Sequence, residues 1–153
     1  MECKARNEMD AAWQWDLTPI FPNREAWEQA YHEAEQAVGQ IGALAGTLGA
    51  SPDSLKAGLD TVYETLQAVE RVYLYASLLK NSDNGDPVYQ KMEGMATNLY
   101  VAMSTACAFL DPEILSLPEK QLQQMMDDPK LAGYRHILED TNRARAHTLD
   151  EQG

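Results

Sequence analysis

Apolar positions along the chain recur in alternating steps of three and four, the spacing of one face of an α-helix. The first such stripe is Trp27, Ala30, Tyr31, Ala34, Val38, Ile41 and Leu44. Asn23 offers a side-chain oxygen as N-cap and Glu25 falls in the first turn, so a helix is expected from there to about Gly46. Ser51-Pro52-Asp53 restarts a helix, with Ser51 as cap and Pro52 at its first position. Its stripe is Leu55, Leu59, Val62, Leu66, Val69, Tyr73 and Ala76, and it is expected to run to Lys80 with only Gly58 weakening it. The turn formers Asn81-Ser82-Asp83-Asn84-Gly85-Asp86 make a loop. Asp86-Pro87 then caps a third helix, with Tyr89, Met92, Ala96, Leu99, Met103, Cys107 and Leu110 inward.

Shorter elements follow. Asp111-Pro112 stops the third helix and caps a short one from Glu113 to Leu117. Pro118 opens another, carrying Leu122, Met125 and Met126 until Asp128-Pro129 breaks it. The last is expected from Lys130 to about Arg143, with Leu131, Tyr134, Ile137 and Leu138 inward. Ahead of them all, residues 13–22 hold Trp13, Trp15, Phe21 and two prolines; the prolines forbid a helix, and the aromatics call for burial. The expected organisation is an extended segment over residues 1–22, a helical domain over 23–143 and a polar linker over 144–153. The fold class is all-α: an antiparallel helical bundle of three long helices plus several short C-terminal helices.

Composition agrees, with 20 Ala and 17 Leu against 6 Val and 4 Ile, a balance of helix formers over strand formers. The 153 residues suit one domain. Their formal charge of −12 disfavours nucleic acid, because an acidic surface repels phosphates. The small basic group Arg143, Arg145 and His147 does not reverse that. No window approaches 18 uninterrupted apolar residues, so no membrane span is expected, and the polar start from Met1 to Asp10 does not read as a secretory signal. Cys3 and Cys107 sit in no paired spacing and read as reduced thiols in the cytoplasm.

Chemistry-bearing motifs are sparse. His32-Glu33-Ala34-Glu35-Gln36 falls one residue short of the zinc motif HExxH, in which two histidines one turn apart face the metal and the Glu is general base. Gln36 is a poor zinc ligand, and the segment reads as a solvated helix face. A carboxylate-bridged metal pair needs Glu three residues before His. Here Gln29, Gly133 and Ala144 precede His32, His136 and His147. No nucleophile elbow and no glycine-rich phosphate loop appear. The expected catalytic, cofactor and metal residues in this chain are therefore none. Tyr134-Arg135-His136 and the Arg143–His147 cations suit the carbonyl end of a helix, and Tyr134, Arg135 and His136 are the candidates for contact with a neighbouring domain.

The order of segments resembles the N-terminal region of the oligoendopeptidase F family of zinc metallopeptidases. The resemblance begins with Trp15-Asp16-Leu17-Thr18-Pro19-Ile20-Phe21 and Trp27, and continues in Arg71-Val72-Tyr73-Leu74-Tyr75-Ala76-Ser77-Leu78 with Tyr89-Gln90 after the loop. It is strongest in Phe109-Leu110-Asp111-Pro112-Glu113-Ile114-Leu115, Leu117-Pro118-Glu119 and the stretch Leu131 to Glu139. Ala146-His147-Thr148-Leu149 is similar to the handover toward the family's following region. What the resemblance implies is a peptidase that hydrolyses short peptides inside a mostly helical channel. Its zinc is held by the two histidines of HExxH and a downstream Glu, and the motif's Glu activates the metal-bound water. None of that machinery lies within these residues, so no catalytic or zinc-binding position carries over, His32 included.

Two functions of different class follow. In one, the chain is the substrate-channel wall of a zinc endopeptidase, partnered by a catalytic region absent from this sequence and by peptide substrate. In the other it is a self-sufficient helical bundle acting as an interaction or assembly module. A wall taken alone is expected to expose apolar surface, contributed by Tyr63, Tyr75, Met95 and Tyr100 with the Tyr134 segment, and to form a homodimer through it.

Overall fold

A computed structural model describes residues 5–148, with the side chains of residues 146–148 excluded. Cys3, Leu149 and the rest of the 149–153 stretch lie outside the described residues. Among the described residues six α-helices follow one another: α1 Arg24–Ile41, α2 Pro52–Ser82, α3 Pro87–Ala106, α4 Leu110–Ser116, α5 Glu119–Met126 and α6 Arg135–Thr148. Short 3₁₀ turns lie between or before them, and the described residues contain no strand, so the class is all-α.

The expected caps form. The Asn23 side chain accepts the Ala26 N–H at 2.8 Å, Ser51 Oγ accepts the Ser54 N–H at 3.0 Å, and the Asp86 carboxylate accepts the Val88 N–H at 2.7 Å. Each satisfies a donor that the first turn of a helix leaves without a partner.

The chain divides into two compact units, one of residues 1–39 and 64–105, the other of 40–63 and 106–153. In the first, Trp27 is buried and donates its indole N–H to the Val72 carbonyl at 2.9 Å. Its ring stacks on Tyr31 at 5.6 Å, and Ala34, Val69, Ala76, Ala96 and Met103 are buried in the same unit. The 17–21 segment closes over this core through Leu17 and Phe21. Phe21 stands edge-on to Tyr75 at 5.4 Å, and the Arg71 guanidinium lies 4.5 Å above the Phe21 ring while donating to the Ile20 carbonyl at 2.5 Å. The tryptophans expected to be buried are not: Trp13 is 79% exposed and Trp15 56%. Burial of Leu17 and Phe21 suffices to fix the segment, and 3₁₀ turns at Arg6–Glu8 and Ala11–Trp13 interrupt what reads as extended.

The second unit has its own core, with Leu48, Leu55, Leu59, Ile114, Leu122 and Leu131 among its buried members. Gly58 belongs to it for a packing reason: a Cβ there would come within 2.4 Å of Leu48 Cδ2. The glycine that weakens α2 as a helix is the place where Leu48 enters the core.

Several boundaries and faces differ from expectation. Along α2 the buried positions include Thr65, Val72, Tyr75 and Leu79, whereas Leu66 and Tyr73 are only half-buried. Threonine is tolerated on a buried helix face because its hydroxyl can bond a carbonyl of the preceding turn. Helix α3 ends at Ala106 rather than Leu110, and α4 takes Pro112 into its first turn. A proline fits there because first-turn N–H groups have no intrahelical acceptor, and the same missing bond forces the break upstream. Pro129–Tyr134 is 3₁₀, so the last α-helix starts only at Arg135, and it runs through the start of the expected linker to Thr148. Ile137, expected inward, is exposed.

Candidate functional site

The Tyr134-Arg135-His136 segment sits where the 3₁₀ run passes into α6. Tyr134 is half-buried, stacks on Tyr63 with ring centroids 5.7 Å apart, and donates its hydroxyl to the Asp60 carboxylate at 2.6 Å. Asp60 also accepts from Lys56 Nζ at 2.5 Å. The Lys56 and Tyr134 hydrogen bonds, in that order, hold the Asp60 carboxyl below its ordinary value. Burial, with the negative charge of Asp111 nearby, pushes the Tyr63 phenol up. Arg135 donates from Nη2 to the Met126 carbonyl at 3.0 Å and lies 3.6 Å from Asp127, which places its cation at the C-terminal end of α5 where carbonyls lack partners. His136 is 83% exposed along its side chain, with Asp140 3.4 Å away. Two of the three residues are thus engaged within their own unit, and His136 faces solvent.

Arg145 works in the same way as Arg135. Its Nη1 and Nη2 donate to the Leu115 and Leu117 carbonyls at 2.7 and 3.0 Å, capping the end of α4. Arg143 pairs with Asp140.

His32 lies on the exposed face of α1, 3.4 Å from Glu35. Among the described residues no group of three or more His, Cys, Asp or Glu is placed to hold a metal ion. Cys107 is half-buried, and burial raises its thiol pKa, the opposite of what a reactive thiolate needs. No helix among the described residues is long and apolar enough to cross a membrane.

What the first unit does carry is an apolar groove of about 800 Å³. Pro19, Ile20, Leu74, Tyr100 and Val101 line it together with Tyr73, and Gln67, Glu70, Arg71 and Thr97 are its polar members. Leu74 is 49% exposed, Tyr100 42% and Val101 59%. Of the four residues expected to supply an exposed apolar patch, Tyr100 is exposed and Tyr75 is buried; Tyr63 and Met95 are half-buried. Leu74 and Val101 escape a search for helix stripes, since single apolar residues off the stripe are common on any surface. Only the fold shows that they share one groove.

The family model described as oligopeptidase F matches residues 113–153. Oligopeptidase PepF of Bacillus subtilis is 33% identical to this chain over 148 residues, which is 96% of this chain and 22% of that protein. The chain corresponds to an N-terminal region of the oligoendopeptidase F family. Solved structures agree. A structure of oligoendopeptidase-F from Enterococcus faecium superposes with a TM-score of 0.71 at 29% identity, over 80% of this chain and 24% of that one. A Chlamydophila abortus structure gives 0.80 at 26% identity, over 95% of this chain and 25% of that one. The chain spans about a quarter of the length of these proteins, as an N-terminal region would. Within that quarter, Glu113 belongs to a motif of the oligoendopeptidase F resemblance and plays a structural part. Its carboxylate accepts the N–H groups of Gly46 at 2.7 Å and Leu48 at 2.9 Å.

Proposed function

We propose that this chain is the N-terminal helical wall of the substrate channel in an oligoendopeptidase F-like zinc metalloendopeptidase that hydrolyses short peptides. The observation that carries the reading is coverage: nearly all of this chain matches about one quarter of the oligopeptidase from Bacillus subtilis. The HExxH segment and its zinc then belong to the remaining three quarters. In this reading the three long helices pack antiparallel as a bundle, residues 144–153 lead toward the catalytic region, and the protein works in the cytoplasm.

The wall's own contribution is steric and electrostatic. A helical shell excludes folded proteins from a channel while admitting short chains, and caps such as Arg135 on α5 and Arg145 on α4 keep short helices in place. The deciding experiment is to read the gene past the codon for Gly153. An open frame reaching an HExxH segment supports the wall. A frame without one favours a self-sufficient bundle that works by binding a partner.

A further inference from the structure

We propose that the groove lined by Ile20, Leu74, Tyr100 and Val101 is the seat of a segment from the catalytic region of the same polypeptide, an apolar segment that sets a Lys or Arg against Glu70. The inference rests on the channel-wall reading. Leu74, Tyr100 and Val101 are all more than two-fifths exposed, yet they converge on one concavity of about 800 Å³. Exposed apolar side chains gathered in this way mark a surface that is covered in the working molecule.

The relatives supply the length needed for a cover. This chain corresponds to 22–25% of their residues, so a protein of that length carries about three times as much chain again that must pack somewhere. A permanent intramolecular cover also explains the apolar character better than a passing peptide does, because a surface wetted between substrates gains nothing from Val101 and Leu74.

Charge narrows the occupant. Among the described residues, Glu70 is the one acidic side chain lining the groove. Arg71 also lines the groove, but its guanidinium is turned to the Ile20 carbonyl and the Phe21 ring, which leaves Glu70 without a charged partner there. A carboxylate at the edge of an apolar surface favours a partner with a cation at that point and disfavours an acidic one. A second copy of this chain, at −12, is a poor match.

Thiol accessibility in the intact protein tests the proposal. In a background of Cys3→Ser and Cys107→Ala, with any further cysteines replaced, Val101→Cys is compared with Gln36→Cys on the exposed face of α1. The readout is the rate of maleimide labelling in the folded protein, relative to the same site in urea. Slowing of ten-fold or more at position 101, with position 36 labelling freely, is the expected result. It should hold on dilution and without added peptide, and Glu70→Lys should weaken it. Equal rates at the two positions in a protein that cleaves peptides overturn the docking proposal and leave the channel-wall reading standing. Protection that appears only with added peptide makes the groove a substrate subsite, and protection lost on dilution makes it a contact between copies; either overturns the proposal. An intact protein that does not cleave peptides overturns the reading beneath it.

Discussion

The Glu113 carboxylate accepts the backbone N–H of Leu48 at 2.9 Å, sixty-five positions away in sequence. It also takes the Gly46 N–H at 2.7 Å, where the backbone turns through φ +81°, a conformation that favours glycine. One side chain of α4 thereby fixes the loop between α1 and α2 and delivers Leu48 to the core. Glu113→Ala leaves two loop donors without their acceptor and should cost about 1.5–3 kcal/mol, since hydrogen bonds to a charged acceptor are the stronger kind. Glu113→Gln keeps one carbonyl acceptor and should fall between. Urea melts of the three proteins check the order.

Glycine substitutions separate packing from helix propensity. Gly94 in α3 has open space where a Cβ would go, so Gly94→Ala should stabilise by about 0.5–1 kcal/mol. Gly58→Ala has the same propensity gain but meets the buried Leu48 at 2.4 Å, so the gain should vanish or reverse. In a Leu48→Ala background the benefit of Gly58→Ala should return. Equal stabilisation at both glycines would mean that Leu48 does not enter where the structure puts it.

The face of α2 can be read from two leucines. Leu55 is fully buried and Leu66 only half-buried. Leu55→Ala should cost about 2–5 kcal/mol and Leu66→Ala about 1 kcal/mol, following the apolar surface each loses. Denaturant midpoints for the pair measure it, and a larger loss at Leu66 would return the helix to the face expected from its stripe.

Stability should also carry a pH signature from Asp60. Its hydrogen bonds to Lys56 and Tyr134 place the folded carboxyl below its ordinary value of 3.8. The unfolded chain therefore binds the proton first, and the linkage favours the folded state above that value. As pH falls through the depressed folded value the contribution is lost. Asp60→Asn should flatten stability between about pH 5 and pH 2 relative to the unmodified chain, and Tyr134→Phe should flatten it less. Thermal melts across that range decide it; parallel profiles would contradict the link.

Much of the fold was legible because caps are local. Asn23, Ser51 and Asp86 each act on the first turn of the helix they precede, and that interaction needs no tertiary information. Faces were less legible. On hydropathy alone Leu66 fits the three-and-four stripe better than Thr65 does, yet Thr65 is the buried one. Tertiary contacts choose between neighbouring phases of a stripe, and Trp13 and Trp15 likewise show that an aromatic's preference for burial yields when Leu17 and Phe21 have already closed the core. The site was the least legible. Tyr134, Arg135 and His136 are adjacent in sequence and easy to single out, but Tyr134 and Arg135 are occupied by Asp60 and Met126 within their own unit. The apolar groove draws on residues about 80 positions apart, Ile20 to Val101, so only the folded chain brings it together.

In the function proposed above, this chain shapes a peptidase whose chemistry lies elsewhere in the polypeptide. The most direct measurement is cleavage of a quenched fluorescent short peptide by the 153-residue chain and by the protein from the gene's whole reading frame, each with and without a metal chelator and each assayed for bound zinc. The account predicts chelator-sensitive cleavage and about one zinc per chain, as one HExxH site requires, for the longer protein, and neither for the 153 residues alone. Cleavage by the 153-residue chain with zinc bound would contradict it.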